Sequence, residues 1–127
     1  MKHLIIPSLL SVISLSAFAS TPQLEGHTKE LKLLTFGDDI SVSSQRYTVR
    51  CTHHQTDKSI DKYTQHRTLT YTYQGCSSPN DSSLDSTKAY VMIFRDIDAN
   101  SWSIAIGNID KLNVPVFSNL YISSRKD

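Results

Sequence analysis

Apolar and polar residues alternate along much of the chain with a period of two, the spacing of a strand with one face buried. In Tyr47-Thr-Val-Arg-Cys-Thr52, one face carries Tyr47, Val49 and Cys51, and the other carries Thr48, Arg50 and Thr52. Thr68-Leu-Thr-Tyr-Thr-Tyr73 sets Leu69, Tyr71 and Tyr73 against three threonines, all residue types that suit a pleated, half-buried surface. Tyr90 to Phe94 is an unbroken apolar run, as expected of a central strand covered on both sides. A turn is predicted at Asp98-Ala-Asn-Ser101, after which Trp102, Ile104 and Ile106 alternate with smaller residues to complete a hairpin. Gly107 to Asp110 breaks the pattern, and Val114 to Ile122 supplies one or two further strands, with Pro115 favouring an edge position.

The pattern is weaker before residue 40. Ser20 to Gly26 reads as a polar leader, Thr28 to Leu34 fits either a short helix capped by Thr28 or a strand, and Gly37-Asp38-Asp39 reads as a turn. Ser77 to Thr87 is a polar loop containing Pro79 and the glycosylation acceptor Asn80-Asp-Ser82. These elements predict a mainly β domain. Its expected form is a small antiparallel β-sandwich or partly open β-barrel of roughly five to seven strands, with one or two short helices.

The start of the chain has a different composition. Lys2 and His3 precede an apolar stretch from Leu4 to Ser16, and Ala17-Phe18-Ala19 has the small-x-small form of a signal-peptidase site. The apolar stretch is shorter than the twenty or so residues that span a bilayer. Residues 1–19 are therefore expected to be a cleaved export signal and residues 20–127 a single domain, with no membrane span, secreted or periplasmic.

Charge narrows the function classes. Once Lys2 is removed, the 13 basic side chains fall level with the 12 acidic ones. A chain without excess positive charge is poorly suited to displacing counterions from nucleic-acid phosphates or to coating an anionic membrane. An exported protein with two cysteines, Cys51 and Cys76, is expected to join them, stabilising the fold by roughly 3.5 kcal/mol through loop-closure entropy. Two geometries are available. Cys51 and Cys76 can lie directly opposite in one hairpin, whose loop then centres on Tyr63 and Thr64. Alternatively, the strands stop at His53 and restart at Thr68, leaving Ser59 to His66 as a short helix. The second is preferred on sequence grounds, because Ser59 is a suitable helix cap.

Catalytic chemistry finds little support. His53, His54, Asp57 and His66 have metal-ligand chemistry, with His54 and His66 the pair that could meet across the loop, but they lack a metal-site spacing. Asp96-Ile-Asp-Ala-Asn100 opens like a calcium loop, yet Ser101 and Gly107 occupy places that require glycine and a carboxylate. The sequence has no nucleophile elbow and no glycine-rich phosphate cradle. The expectation is a non-enzymatic binding protein without cofactor or metal, such as an inhibitor, an immunity-type protein or an accessory factor with a protein partner. The second expectation is a glycan-binding receptor-recognition subunit of an exported toxin; the third is a small hydrolase or metal protein using His54 and His66. Candidate contact residues are Tyr63, Tyr73, Tyr121 and Trp102, since exposed aromatics anchor protein partners and stack on sugar rings.

Overall fold

Among the described residues eight strands form where roughly five to seven were expected, because short alternations near the N-terminus pair as readily as the longer ones. The computed structural model describes residues 21–46, 48–78, 88–108 and 116–126. The strands are β1 (Gln23–His27), β2 (Lys32–Phe36), β3 (Asp39–Ser43), β4 (Thr48–Ile60), β5 (Arg67–Ser77), β6 (Ala89–Asp96), β7 (Ser101–Asn108) and β8 (Ser118–Lys126). Each pairs antiparallel with its sequence neighbour, and β1 pairs with β8, so the sheet closes into an up-and-down barrel. Neither a sandwich nor an open edge remains at that seam. No α-helix occurs among the described residues, so the helix expected at Ser59 to His66 is corrected, and of the two readings at Thr28 to Leu34 the helix is excluded while Lys32–Phe36 is a strand. The export signal, the acceptor at Asn80 and Pro115 lie outside the described residues.

The expected polar leader is strand β1, and two residues explain how it joins the sheet. Leu24 is buried in the lumen, and its N–H donates to Thr35 Oγ1, which is itself buried. Gly26 sits where the β1–β8 register shifts, and a Cβ there would lie 2.7 Å from the Tyr121 carbonyl oxygen. Only glycine allows the two backbones to approach so closely. Next in sequence, Asp39-Ile-Ser-Val-Ser43 buries Ile40 and Val42 and shows its polar residues outside. This short alternation follows directly on the Gly37-Asp38-Asp39 turn and adds a strand to those the sequence predicts.

The disulfide takes the hairpin geometry. Cys51 is bonded to Cys76 across β4 and β5, with Cα atoms 4.0 Å apart and a sequence separation of 25. Arg50 pairs with Ser77 but Thr52 pairs with Gln74, so Gly75 is an extra residue on β5; its φ of 63° is accessible to glycine at little cost. A second extra residue, His54 on β4, restores the original offset, and pairing then continues to Ile60 opposite Arg67. The less favoured sequence reading, with the loop centred on Tyr63 and Thr64, is the correct one.

Inward-facing residues fill the lumen. Ile40, Val42, Val49, Cys51, Tyr73, Val91, Ile93 and Ile104 are at most 2 % exposed, with Tyr71, Trp102 and Leu120 packed beside them. The continuous run Tyr90 to Phe94 does not mark a doubly covered strand. Val91 and Ile93 point inward, whereas Tyr90, Met92 and Phe94 are half-buried on the outer wall. Local cover explains the apolar character of Phe94, whose ring packs on that of Phe117 with centroids 5.6 Å apart.

Candidate binding surface at the lower end of the barrel

Three connections share one end of the barrel: the β2–β3 turn, the β4–β5 loop at 61–66 and the β6–β7 turn at 97–100. Pairing between β3 and β4 stops at Asp39 opposite Thr52, followed by one bond in which His53 N–H donates to the Asp38 carbonyl at 2.7 Å. From His54 to Ile60, β4 has only β5 as a sheet neighbour among the described residues. The β4–β5 hairpin therefore projects beyond β3.

The tip of this hairpin is built tightly. Asp61 N–H donates to the His66 carbonyl, and Gln65 N–H donates to the Asp61 carbonyl, each at 2.9 Å. The Asp61 carboxylate accepts the N–H groups of Tyr63 and Thr64 at 2.8 and 3.0 Å, and these bonds hold its pKa below the usual carboxylate range. Gln65 closes the turn with φ of 62°. At the centre of this constrained loop Tyr63 is 94 % exposed, and Ile60, at the end of β4, is 62 % exposed.

Two ion pairs tie the tip to the β6–β7 turn. His66 Nδ1 lies 2.9 Å from Asp96 Oδ2, and Arg67 Nη2 donates to Asp98 Oδ1 at 2.7 Å. Arg67 N–H also donates to Asp98, and Ile97 N–H donates to the Arg67 carbonyl. The bond from Asp96 raises the His66 pKa, and the same bond lowers that of Asp96. Arg67 draws Asp98 down to about 2. The Asp-rich turn that resembled a calcium loop thus directs its carboxylates to His66, Arg67 and the Ala99 N–H.

The four candidate aromatics separate into two groups. Tyr63 lies on the tip and Tyr121 on the outer wall of β8, 61 % exposed, with its ring 5.8 Å from that of His27. Tyr73 and Trp102 are buried with the core. The Tyr73 hydroxyl has no hydrogen-bond partner among the described residues, and burial is the main reason its pKa is raised, with Tyr71 and Asp38 adding to it. Its ring meets that of His53 edge-on at 5.7 Å, and His53 Nε2 is 2.7 Å from Thr56 Oγ1.

His54 and His66 do not meet. The strand from His54 to Ile60 separates them by roughly 20 Å at the usual rise per residue. Asp57 is paired with Gln55, whose Nε2 donates to both carboxylate oxygens. Among the described residues, no three His, Cys, Asp or Glu side chains stand together as a metal site.

A second surface feature lies between the start of β7 and β8. Only Trp102 to Ile104 pair with β8, so below Leu120 the two strands diverge. The resulting groove, about 680 Å³, has Trp102, Leu120 and Ile122 along its floor and Asn100, Ser101, Asn119, Tyr121 and Ser123 around it. Sequence reasoning missed Ile60 and the Arg67–Asp98 latch. The first looked like part of a helix, and the second joins residues 31 apart that no local pattern connects. Comparison with family models, characterised proteins and solved structures yields no match to this chain.

Proposed function

We propose that this protein is an exported, non-enzymatic binding protein that engages another macromolecule through the β4–β5 hairpin tip. The observation that carries this reading is a tyrosine 94 % exposed on a loop whose backbone is fixed by Asp61 and latched by two ion pairs. A large amphipathic side chain held in one place contributes to binding without the entropy cost of ordering a mobile loop. The convex shape of the hairpin suits a cleft on a protein partner. The disulfide supports an oxidising compartment and hence export.

The test compares wild type with a Tyr63→Ala, Ile60→Ser double variant as bait in extracellular and envelope fractions of the source organism and its hosts. Retention of a defined protein by wild type, lost with the variant at unchanged thermal stability, supports the reading. Equal retention by both places the interface elsewhere and overturns it.

The groove beside β8 favours a second reading, glycan recognition. Two asparagine amides and two serine hydroxyls beside Tyr121 provide the hydrogen-bond partners and stacking surface that sugars use. Binding on a glycan array, abolished by Asn119→Ala with Tyr121→Ala, is the expected outcome for that reading. Assembly into a stable ring on gel filtration would connect it to a toxin receptor-recognition subunit.

A further inference from the structure

We propose that Arg95 forms an anion site at the lower mouth of the barrel and that the site takes an organic carboxylate. Along β6 the inward series runs Ala89, Val91 and Ile93, all buried, and Arg95 is the next member. Register places it opposite Leu69 on β5 and Trp102 on β7, both of which pack with the core. Its guanidinium carbon sits 4.9 Å from the centroid of the Trp102 ring. Its Nε is buried and has no hydrogen-bond partner among the described residues. Arg95 as a whole is half-buried, but a guanidinium N–H shielded from water with no acceptor is an unusual arrangement that calls for an explanation.

The surrounding acids do not supply that acceptor. Asp96, adjacent in sequence, gives one oxygen to His66 and the other to the Ala99 N–H. Asp98 is occupied by the guanidinium and backbone N–H of Arg67. His66 and Arg67 each have a carboxylate, and Arg95 has an aromatic face instead. Stacking on Trp102 seats the guanidinium beside the ring, and because Arg95 as a whole is only half-buried, the group stays within reach of the mouth, where a guanidinium suits a carboxylate through paired bonds.

The walls select the kind of anion. Leu69 and Trp102 are the cross-strand neighbours of Arg95, so a hydrated inorganic anion would lose water against apolar surface and gain only the bonds to the guanidinium. An organic carboxylate places its hydrocarbon on those walls. The lumen beyond is filled by Ile93 and Ile104, 0 % and 2 % exposed, so the ligand body stays at the mouth. This site is independent of the hairpin tip.

The protein has a single tryptophan, so the emission of Trp102 reports on this site without labelling. Octanoate is the probe, octanol its uncharged comparison and inorganic phosphate its inorganic one. Binding is followed by Trp102 fluorescence and by the NMR signal of the Arg95 Nε–H. A saturable octanoate response that shifts the Nε–H signal is expected, with no response to octanol or phosphate. Arg95→Gln should weaken octanoate roughly tenfold or more, Arg95→Lys should fall between, and Lys29→Gln at the opposite end should match wild type. No saturable response in wild type, an equal response to octanol, or equal affinity in Arg95→Gln and wild type would overturn the proposal. Retained stability of Arg95→Lys excludes misfolding as the cause of a loss.

Discussion

Arg67 and Asp98 join two hairpin tips that are 31 residues apart in sequence, with side chain and backbone of the arginine both bonded to the one carboxylate. The ion pair is exposed, so its contribution to global stability is small. Its effect is local, because it fixes the base of the loop carrying Tyr63. Asp98→Asn is expected to leave the melting temperature nearly unchanged. Hydrogen exchange should accelerate at the Tyr63 and Thr64 amides, while the β6 amides stay protected. Unaltered exchange at the tip would mean that Asp61 alone holds the loop.

The His66–Asp96 pair gives the latch a pH window. The His66 pKa is raised above 6.5, so its contribution is complete below that value and fades as pH rises through the higher folded value. Asp96 is lowered from 3.8, so its contribution is complete above that value and fades as pH falls through the lower folded value. The tip should be held most firmly between about pH 4 and 6.5. Amide exchange of residues 61–66, corrected for intrinsic rate, should show slowest opening in that interval, and His66→Gln should remove the upper limb of the profile.

Cys51 and Cys76 lie across adjacent strands, so their bond closes one hairpin. A double Cys→Ala variant, or reduction, is expected to cost roughly 3.5 kcal/mol. For a domain of this size that corresponds to a fall in melting temperature on the order of 15–25 °C. Calorimetry with and without reductant measures it. A fall of only a few degrees would show that the β4–β5 ladder holds without the bond.

Gly26→Ala tests the seam between β1 and β8. The added methyl would meet a backbone oxygen at 2.7 Å, and backbone cannot move aside as a side-chain tip can. Destabilisation of roughly 1–3 kcal/mol is expected, with exchange rising first at β1 and β8 amides. A neutral result would show that the seam is looser than the register implies.

Tyr63→Ala removes a side chain that is almost entirely in solvent, and stability should change by no more than about 0.5 kcal/mol. Partner retention should nevertheless be lost. A large loss of stability would assign Tyr63 a structural role instead.

Sequence legibility follows burial contrast. The strands at Thr48, Thr68 and Ser101 were predictable because apolar residues alternate with threonine, serine or charge, and the strand at Ala89 because Tyr90 to Phe94 is an unbroken apolar run. Gln23–His27 was not, because in five residues it buries one large side chain, Leu24, and is held by bonds to strands that follow much later. The choice between helix and strand at Ser59 failed for a related reason. Ser59 and Ile60 are exposed on a projecting hairpin, so no core face constrains their periodicity, and only the Cys51–Cys76 register decides it. At the candidate surface, Tyr63 and Tyr121 could be named from sequence, but their separation from the buried Tyr73 and Trp102 depends on which face of each strand points inward.

The β1–β8 seam also dictates the order in which the protein can be completed. Ser123 Oγ donates to the Glu25 carbonyl across 98 positions of sequence, and the neighbouring ladder bonds are almost as distant. A chain emerging from its N-terminus can zip successive hairpins as they appear, but β1 must wait with one side unsatisfied until the final strand arrives. Such late, long-range closure slows folding and prolongs the interval in which β1 can pair with the wrong chain.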